Sequence, residues 1–228
     1  MRRIQAKELD IQGRGMTSQR TRNRLVTRLQ QQGIANQKVL STLQVVPRHL
    51  FVDEALSSRA YEDSSLPIGY GQTISQPYIV ARMTELILAE QHPENVLEVG
   101  TGSGYQAAVL GALVKKLHSI EILPQLYQNA KTLLDALGYR NIHLHQSDGS
   151  WGWKIAAPYD AIIATAAPEK VPTSLLQQLK VGGTLVIPIG QQGHPQSLQS
   201  IKRLSKTEYQ TTLHESVQFV PFTYQSQT

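Results

Sequence analysis

One stretch, VLEVGTGSGYQ at residues 96–106, constrains the fold more than any other. A short apolar run enters Gly100, Gly102 and Gly104 and leaves through YQAAVLGALV (105–114), a small-residue segment suited to a helix packed close on a sheet. Alternate glycines permit a sharp turn and let a ligand lie against main chain with no side chain between. Strand, glycine turn and helix open a parallel α/β unit, and the chain then repeats the alternation. KLHSIEI (116–122), NIHLHQ (141–146), YDAIIAT (159–165) and GTLVIPIG (183–190) read as strands, with PQLYQNAKTLLDALG (124–138) and PTSLLQQL (172–179) as helices among them. This order predicts a Rossmann-like α/β fold, a mostly parallel sheet with helices on both faces. QSLQSIKRL and TTLHESVQFVPF follow with no helix between them, which predicts a C-terminal antiparallel hairpin.

Ahead of this core the pattern is helical. Residues 1–15 have no periodicity and read as a flexible arm, with Met16 as an alternative start. Thr17 reads as the N-cap of a helix carrying Leu25, Val26 and Leu29 and stopped by Gly33; Asn36 caps a second, with Val39, Leu40, Leu43 and Val46 on its stripe and Pro47 at its end. A third runs over YIVARMTELILA (78–89). No linker interrupts the sequence, so residues 16–228 are expected to form one domain: a helical part over 16–90, a core over 95–190 and C-terminal strands over 191–228.

No apolar run reaches the roughly 18 residues a membrane span requires, and the N-terminus lacks the apolar centre of a secretory leader. The absence of cysteine excludes disulfides and thiolate catalysis and points to the cytoplasm. His143 and His145 share a strand but have no acidic partners nearby, so they read as ordinary strand residues and no metal site is expected. Residues 1–50 carry a net +8 and the rest −3. With no aromatic interleaved before Phe51, the basic segment reads as a solvated helix face, and no nucleic-acid partner is expected.

Glu121 stands at the end of the second core strand, 17 residues beyond Gly104, where a carboxylate can accept both hydroxyls of a ribose. Asp148, in SDGSWGW (147–153), follows the third strand on the same sheet edge. It can cap a turn or accept an adenine amine, and Gly149 lets a ring lie close. Tyr105 stands where the dinucleotide fingerprint has Gly or Ala, so a pyrophosphate cradle fits poorly. A nucleoside site without a phosphate grip resembles the S-adenosyl-L-methionine pocket of Rossmann-like methyltransferases, as does the entry to the fifth strand through Gly182 and Gly183.

The match narrows with LPIGYGQTISQPYIVARMTELI (66–87), YDAIIATAAPEKVP, VPRHLFVDEA (46–55) and VQFVPF (217–222), which resemble the protein-L-isoaspartate O-methyltransferase family from Met16 onward. Tyr70 inside the I-G-x-G-Q loop and Ser147 before Asp148 are its minor departures. The resemblance implies a monomeric repair enzyme that methylates the free α-carboxylate of L-isoaspartyl residues in proteins and peptides. It marks Ser75 as the active-site position and implies a cofactor site of Gln72, Thr73, Ile74, Gly100, Thr101, Gly102, Ser103, Gly104, Glu121, Asp148, Gly149 and Thr165. Ile68, Tyr78, Val220 and Pro221 are implied to border the substrate beside Ser75. The chemistry agrees: a carboxylate with pKa near ~3.5 is ionised at neutral pH, so no general base is needed. Three rivals are weaker. An RNA methyltransferase would need more than the basic N-terminus, since ATAAPE (164–169) lacks the Asn/Asp-Pro-Pro-Tyr type of motif. A mere binding module has no use for the Ser75 hydroxyl, and an oxidoreductase is disfavoured by Tyr105.

Overall fold

The computed structural model describes residues 9–89 and 92–224. Two helices, α1 (Gln19–Gln31) and α2 (Gln37–Val45), lead the chain. Asn36 caps α2 as expected, its Oδ1 accepting from the Lys38 and Val39 amides, and Gly33 ends α1 at φ +98°. The cap of α1 differs. Ser18 occupies it, because Thr17 is drawn into a preceding turn where its hydroxyl bonds Arg14. Residues 1–8 of the expected arm lie outside the described residues, but Asp10, Ile11 and Gln12 are tied down through their carbonyls by His49 and Arg22.

A two-stranded antiparallel ribbon comes next, β1 (Leu66–Gly69) and β2 (Gln72–Ile74), where the sequence showed neither period. Its turn runs through three consecutive positive φ angles, Gly69 at +86°, Tyr70 at +54° and Gly71 at +71°. Helix α3 (Pro77–Leu88) starts on a proline whose missing N–H belongs to the unbonded first turn.

The core then alternates as predicted: β3 (Asn95–Val99), α4 (Tyr105–Gly111), β4 (Lys116–Glu121), α5 (Pro124–Ala136), β5 (Ile142–Gln146), β6 (Tyr159–Ala164), α6 (Thr173–Gln178) and β7 (Leu179–Ile189). Strands β8 (Gln196–Arg203) and β9 (Tyr209–Val217) complete a seven-stranded sheet of order β5-β4-β3-β6-β7-β8-β9, parallel up to β7 and antiparallel beyond it. Alternation within β3 divides the interior. Val96 joins Val80, Met83 and Val109 under α1–α4, while Leu97 and Val99 join Ile162, Leu175 and Ile187 on the α6 side. Each such aliphatic side chain stabilises the fold by about 1.5–3 kcal/mol through burial.

His143 and His145 are strand residues of β5 as expected, and with His118 of β4 they form a cluster on that second side. His118 Nδ1 lies 2.9 Å from His145 Nε2, and His145 stacks on Trp153 with ring centroids 3.9 Å apart. Burial and the two neighbouring imidazoles push His118 down to about 4, so it is neutral at physiological pH.

The topology also fixes where a ligand belongs. From β3 the chain builds outward to β4 and β5, then crosses back to lay β6 on the other flank of β3. Connections leaving β3 and β6 diverge, opening a crevice at the carboxyl ends of these strands. Gly100 follows β3 there, and Thr165 follows β6.

Candidate active site

Two depressions meet over this crevice. The first, a cleft, is floored by the β3 and β4 ends and walled by Gln72, Thr73 and the segment Val220–Thr223. The second is a groove between Ser65, Ser75, Gln76 and Ile79 on one side and Pro195 and the extended run Ser216–Val220 on the other. They share Thr73, Thr165 and Val220. A group passing from one to the other must cross between those three residues.

In the cleft, the Glu121 carboxylate is fixed from both sides: Oε2 accepts from Gly102 N at 2.7 Å and Oε1 from Leu123 N at 3.0 Å. Each oxygen keeps a lone pair for a further donor. Gly100 lies at φ +95°, and a Cβ there would overlap Thr165 Oγ1, itself donating to the Gly100 carbonyl at 2.5 Å. The turn is therefore pinned to the β6 end. Asp148 is buried and its Oδ1 accepts from Ser150 N at 2.8 Å, so its carboxylate caps the turn that presents Gly149 to the cleft. Among the described residues no lysine or arginine lines the cleft, and its walls include Val99, Ile120, Ile122 and Phe222. Such a lining cannot hold a pyrophosphate, which needs cationic or clustered amide partners. It suits a nucleoside bearing a cationic group, with Glu121 positioned for vicinal hydroxyls.

Ile74, Thr101 and Ser103 line a small recess together with Ser75, Gly100, Gly102 and Thr165, although their side chains are engaged in other ways. Thr101 is buried and its hydroxyl sits 2.6 Å from Ser119 Oγ, beneath the turn. Ile74 is buried in the core, which leaves only its backbone near the cleft. Gly104 lies at φ +87°, and a Cβ there would stand 3.3 Å from Ala130 Cβ and Leu134 Cδ1, so its place is also set by close packing of the turn against α5. Ser103 caps nothing strongly; its Oγ accepts from Tyr105 N at 3.3 Å.

On the substrate side, Ser75 lines the groove, and Gln76 rather than Ser75 occupies the N-cap of α3. The Ser75 hydroxyl is thus not consumed in capping. Val220 stands at the junction, and Pro221 lines the cleft, both held by a bridge in which Ala167 N donates to Val220 O at 2.9 Å and Phe222 N to Ala167 O at 3.0 Å. Tyr78 and Ile68 are not groove walls. The Tyr78 hydroxyl donates to Glu215 at 3.4 Å, since a residue at the second position of α3 faces away from the ribbon. Ile68 packs over the glycine turn, 3.5 Å from where a Gly102 Cβ would stand.

Sequence reasoning missed two buried polar residues beneath the site. Glu98, fully buried on β3, accepts from Ser119 Oγ and so continues the Thr101–Ser119 chain under the glycine turn. Burial, with Glu121 nearby, pushes its carboxyl up to about 8. Arg48, also fully buried, donates from Nη2 to the Ser75 carbonyl at 2.8 Å. The one available signal was a charged residue inside an otherwise apolar run, VLEV and VVPRHLF.

The fold and cleft together define a Rossmann-like methyltransferase of the S-adenosyl-L-methionine type. The profile of the protein-L-isoaspartate(D-aspartate) O-methyltransferase family matches residues 19–227, and the chain belongs to that family. Among its relatives, the protein-L-isoaspartate O-methyltransferase of Halorhodospira halophila is 54% identical over 94% of this chain and 97% of its own length. That of Alkalilimnicola ehrlichii is 53% identical over 92% and 95%. A solved protein-L-isoaspartate O-methyltransferase superposes with TM-score 0.80 at 28% identity, covering 88% of this chain and 65% of that one. A Plasmodium falciparum structure of the same description, in complex with S-adenosyl-L-homocysteine, superposes with TM-score 0.77 at 22% identity over 89% and 98%.

Proposed function

We infer that the chain transfers the methyl group of S-adenosyl-L-methionine to the free α-carboxylate of L-isoaspartyl residues in damaged proteins and peptides. When bound, S-adenosyl-L-methionine supplies a methyl made electrophilic by the sulfonium. The observation that carries the residue assignment is the meeting of cleft and groove at Thr73, Thr165 and Val220, with Glu121 on one side and Ser75 on the other. Glu121 holds the ribose hydroxyls, and Gly100, Gly102 and the Gln72–Ile74 backbone enclose the rest of the cofactor. Asp148 acts through Gly149, shaping the adenine end by its cap.

Ser75 orients the substrate carboxylate by donating its hydroxyl. A neutral donor leaves the anion nucleophilic, whereas a direct arginine pair would disperse its charge. S-adenosyl-L-methionine held in the cleft would supply the methyl, the carboxylate oxygen aligned by Ser75 gaining the bond to carbon that sulfur would give up with its electron pair. No proton moves, so the protein contributes alignment and exclusion of water, worth about 7–11 kcal/mol in favourable cases. The product ester is a better leaving group than a carboxylate. The adjoining backbone nitrogen closes on it to a succinimide, and hydrolysis returns part of the material to normal aspartate.

Transfer to RNA finds no support in the basic N-terminal segment. Arg22 and Arg48 are buried and Arg28 donates to the Tyr61 carbonyl at 2.8 Å, so three of its cations serve the fold. Among the described residues no helix is long and apolar enough to cross a membrane. With its lack of cysteine, this favours a cytoplasmic enzyme, which we take to act as a monomer. The test is transfer from radiolabelled S-adenosyl-L-methionine to an isoaspartyl peptide, to the same peptide with normal aspartate, and to bulk RNA. Base-labile label on the isoaspartyl peptide alone is expected; label on RNA or on the normal peptide refutes the reading.

A further inference from the structure

Arg48 is the largest side chain sealed wholly inside the protein. A cation withdrawn from water ordinarily requires a carboxylate partner. Arg48 has instead two carbonyls and a ring: Nε donates to Ala60 O at 2.7 Å, Nη2 to Ser75 O at 2.8 Å, and the guanidinium lies 4.8 Å from the Tyr105 ring centroid. Among the described residues its Nη1 and the Tyr105 hydroxyl are both buried and neither makes a well-formed hydrogen bond, while the phenol interacts favourably with the guanidinium. Burial pulls the group down to about 10, which leaves it protonated at neutral pH. Among the described residues it makes no ion pair, and Asp63 acts on it only through space. Asp63, whose Oδ1 accepts from Tyr78 N at 3.0 Å, is the nearby carboxylate, and the direct bonds of Arg48 run instead to the Ser75 and Ala60 carbonyls.

A trans peptide holds its C=O and N–H on opposite edges of one plane. With the Ser75 carbonyl drawn inward to Arg48, the N–H of Gln76 points away from Arg48, and Ser75 and Gln76 both line the groove. Among the described residues this N–H donates to no acceptor. It stands at the N-cap of helix α3, where Pro77 has no N–H and the Tyr78 N–H is taken by Asp63 Oδ1 at 3.0 Å, which leaves the Gln76 N–H as the amide turned from Arg48.

We propose that Arg48 is the positioning residue of the methyl-transfer site. Its grip on the Ser75 carbonyl aims the Gln76 N–H and the Ser75 hydroxyl together at the isoaspartyl carboxylate, and its buried charge favours an anionic occupant without touching it. This rests on the reading of Ser75 as the substrate-facing residue. The peptide group between Arg48 and the carboxylate transmits attraction but no direct ion pair, so the nucleophile keeps its charge.

The test compares wild type, R48K, R48M and S75A in three measurements. These are kcat and KM with an isoaspartyl peptide, Kd for S-adenosyl-L-homocysteine, and Ki for the same peptide carrying a carboxamide in place of the free carboxylate. R48M is expected to lower kcat/KM by at least ~10-fold while leaving the S-adenosyl-L-homocysteine Kd and the neutral-peptide Ki within ~3-fold. R48K, which keeps the charge, is expected to recover part of the loss. The proposal is overturned if R48M retains wild-type kcat/KM, if the charged and neutral peptides weaken equally, or if cofactor binding falls in proportion, each indicating a packing role. Should R48M not fold, R48K with wild-type kcat/KM and KM overturns it alone. If wild type methylates the peptide and S75A is impaired while R48M is not, only the present proposal fails; if S75A is unimpaired, the reading beneath it fails.

Discussion

Replacing Glu98 with glutamine makes the protein's stability diverge from wild type as pH rises. The carboxyl is fully buried, one oxygen accepts from Ser119 and the other, Oε1, has no hydrogen-bond partner among the described residues. In the unfolded chain it titrates near 4.5, and in the folded protein near about 8. Between those values the folded state keeps a proton that the unfolded state has released. Stability therefore falls as pH rises through the window and levels off above it. At ~1.4 kcal/mol per unit, the whole window amounts to about 5 kcal/mol. Glutamine has the same shape, is neutral at every pH and can still accept from Ser119. Urea unfolding of both proteins at a series of pH values measures the difference directly. Groups common to both cancel, including His118, whose depressed value acts with the opposite sign by stabilising the fold as pH rises. E98Q should gain on wild type by ~1.4 kcal/mol for each pH unit inside the window. A constant difference would show that Glu98 ionises in the folded state as readily as in water, and would refute the picture of a neutral acid supporting Thr101 and the turn.

Four further outcomes follow from the geometry. S75A should lower kcat by ~10–100-fold, the worth of a hydrogen bond to a charged group, with S-adenosyl-L-homocysteine affinity by calorimetry nearly unchanged; equal losses in both would remove Ser75 from the substrate side. E121A should act the other way, weakening S-adenosyl-L-homocysteine by ~10–100-fold, because the ribose loses its acceptor and the Gly102 N–H its partner; unchanged binding would exclude the ribose role. G104A should destabilise the fold by about 1–3 kcal/mol in thermal or chemical unfolding, through its positive φ and crowding by Ala130 and Leu134. Trp153 fluorescence should titrate in acid below the ordinary histidine range, since burial holds the His145 imidazole stacked on it below 6.5; H145F should abolish the transition.

What the sequence displayed of this protein was whatever its local order determines. The strand, glycine turn and helix at residues 96–106 and the acid at the end of β4 are contiguous features, so Gly100 and Glu121 could be placed from periodicity alone. Side-chain direction is a different matter. Ile68 and Tyr78 flank Ser75 in the chain, yet one packs over Gly102 and the other reaches Glu215, because the ribbon turn and the start of α3 rotate them out of the groove. Thr101 and Gly104 sit inside the motif and also serve the layer beneath it, in the Ser119 network and the α5 contact.

The residues missed altogether share a physical reason. A buried polar group has no periodic signature, since its environment is assembled by segments far apart: Arg48 meets Ser75 across 27 residues and Glu98 meets Ser119 across 21. Both stand one layer behind groups that face the crevice, and each carries a buried polar atom that makes no well-formed hydrogen bond among the described residues. Their states differ in kind, Arg48 charged beneath the groove and Glu98 neutral beneath the cofactor turn. That arrangement suits the two occupants. In the proposed roles a cation behind the groove favours an anionic occupant it does not touch, while under the turn a neutral Glu98 places no charge near Glu121.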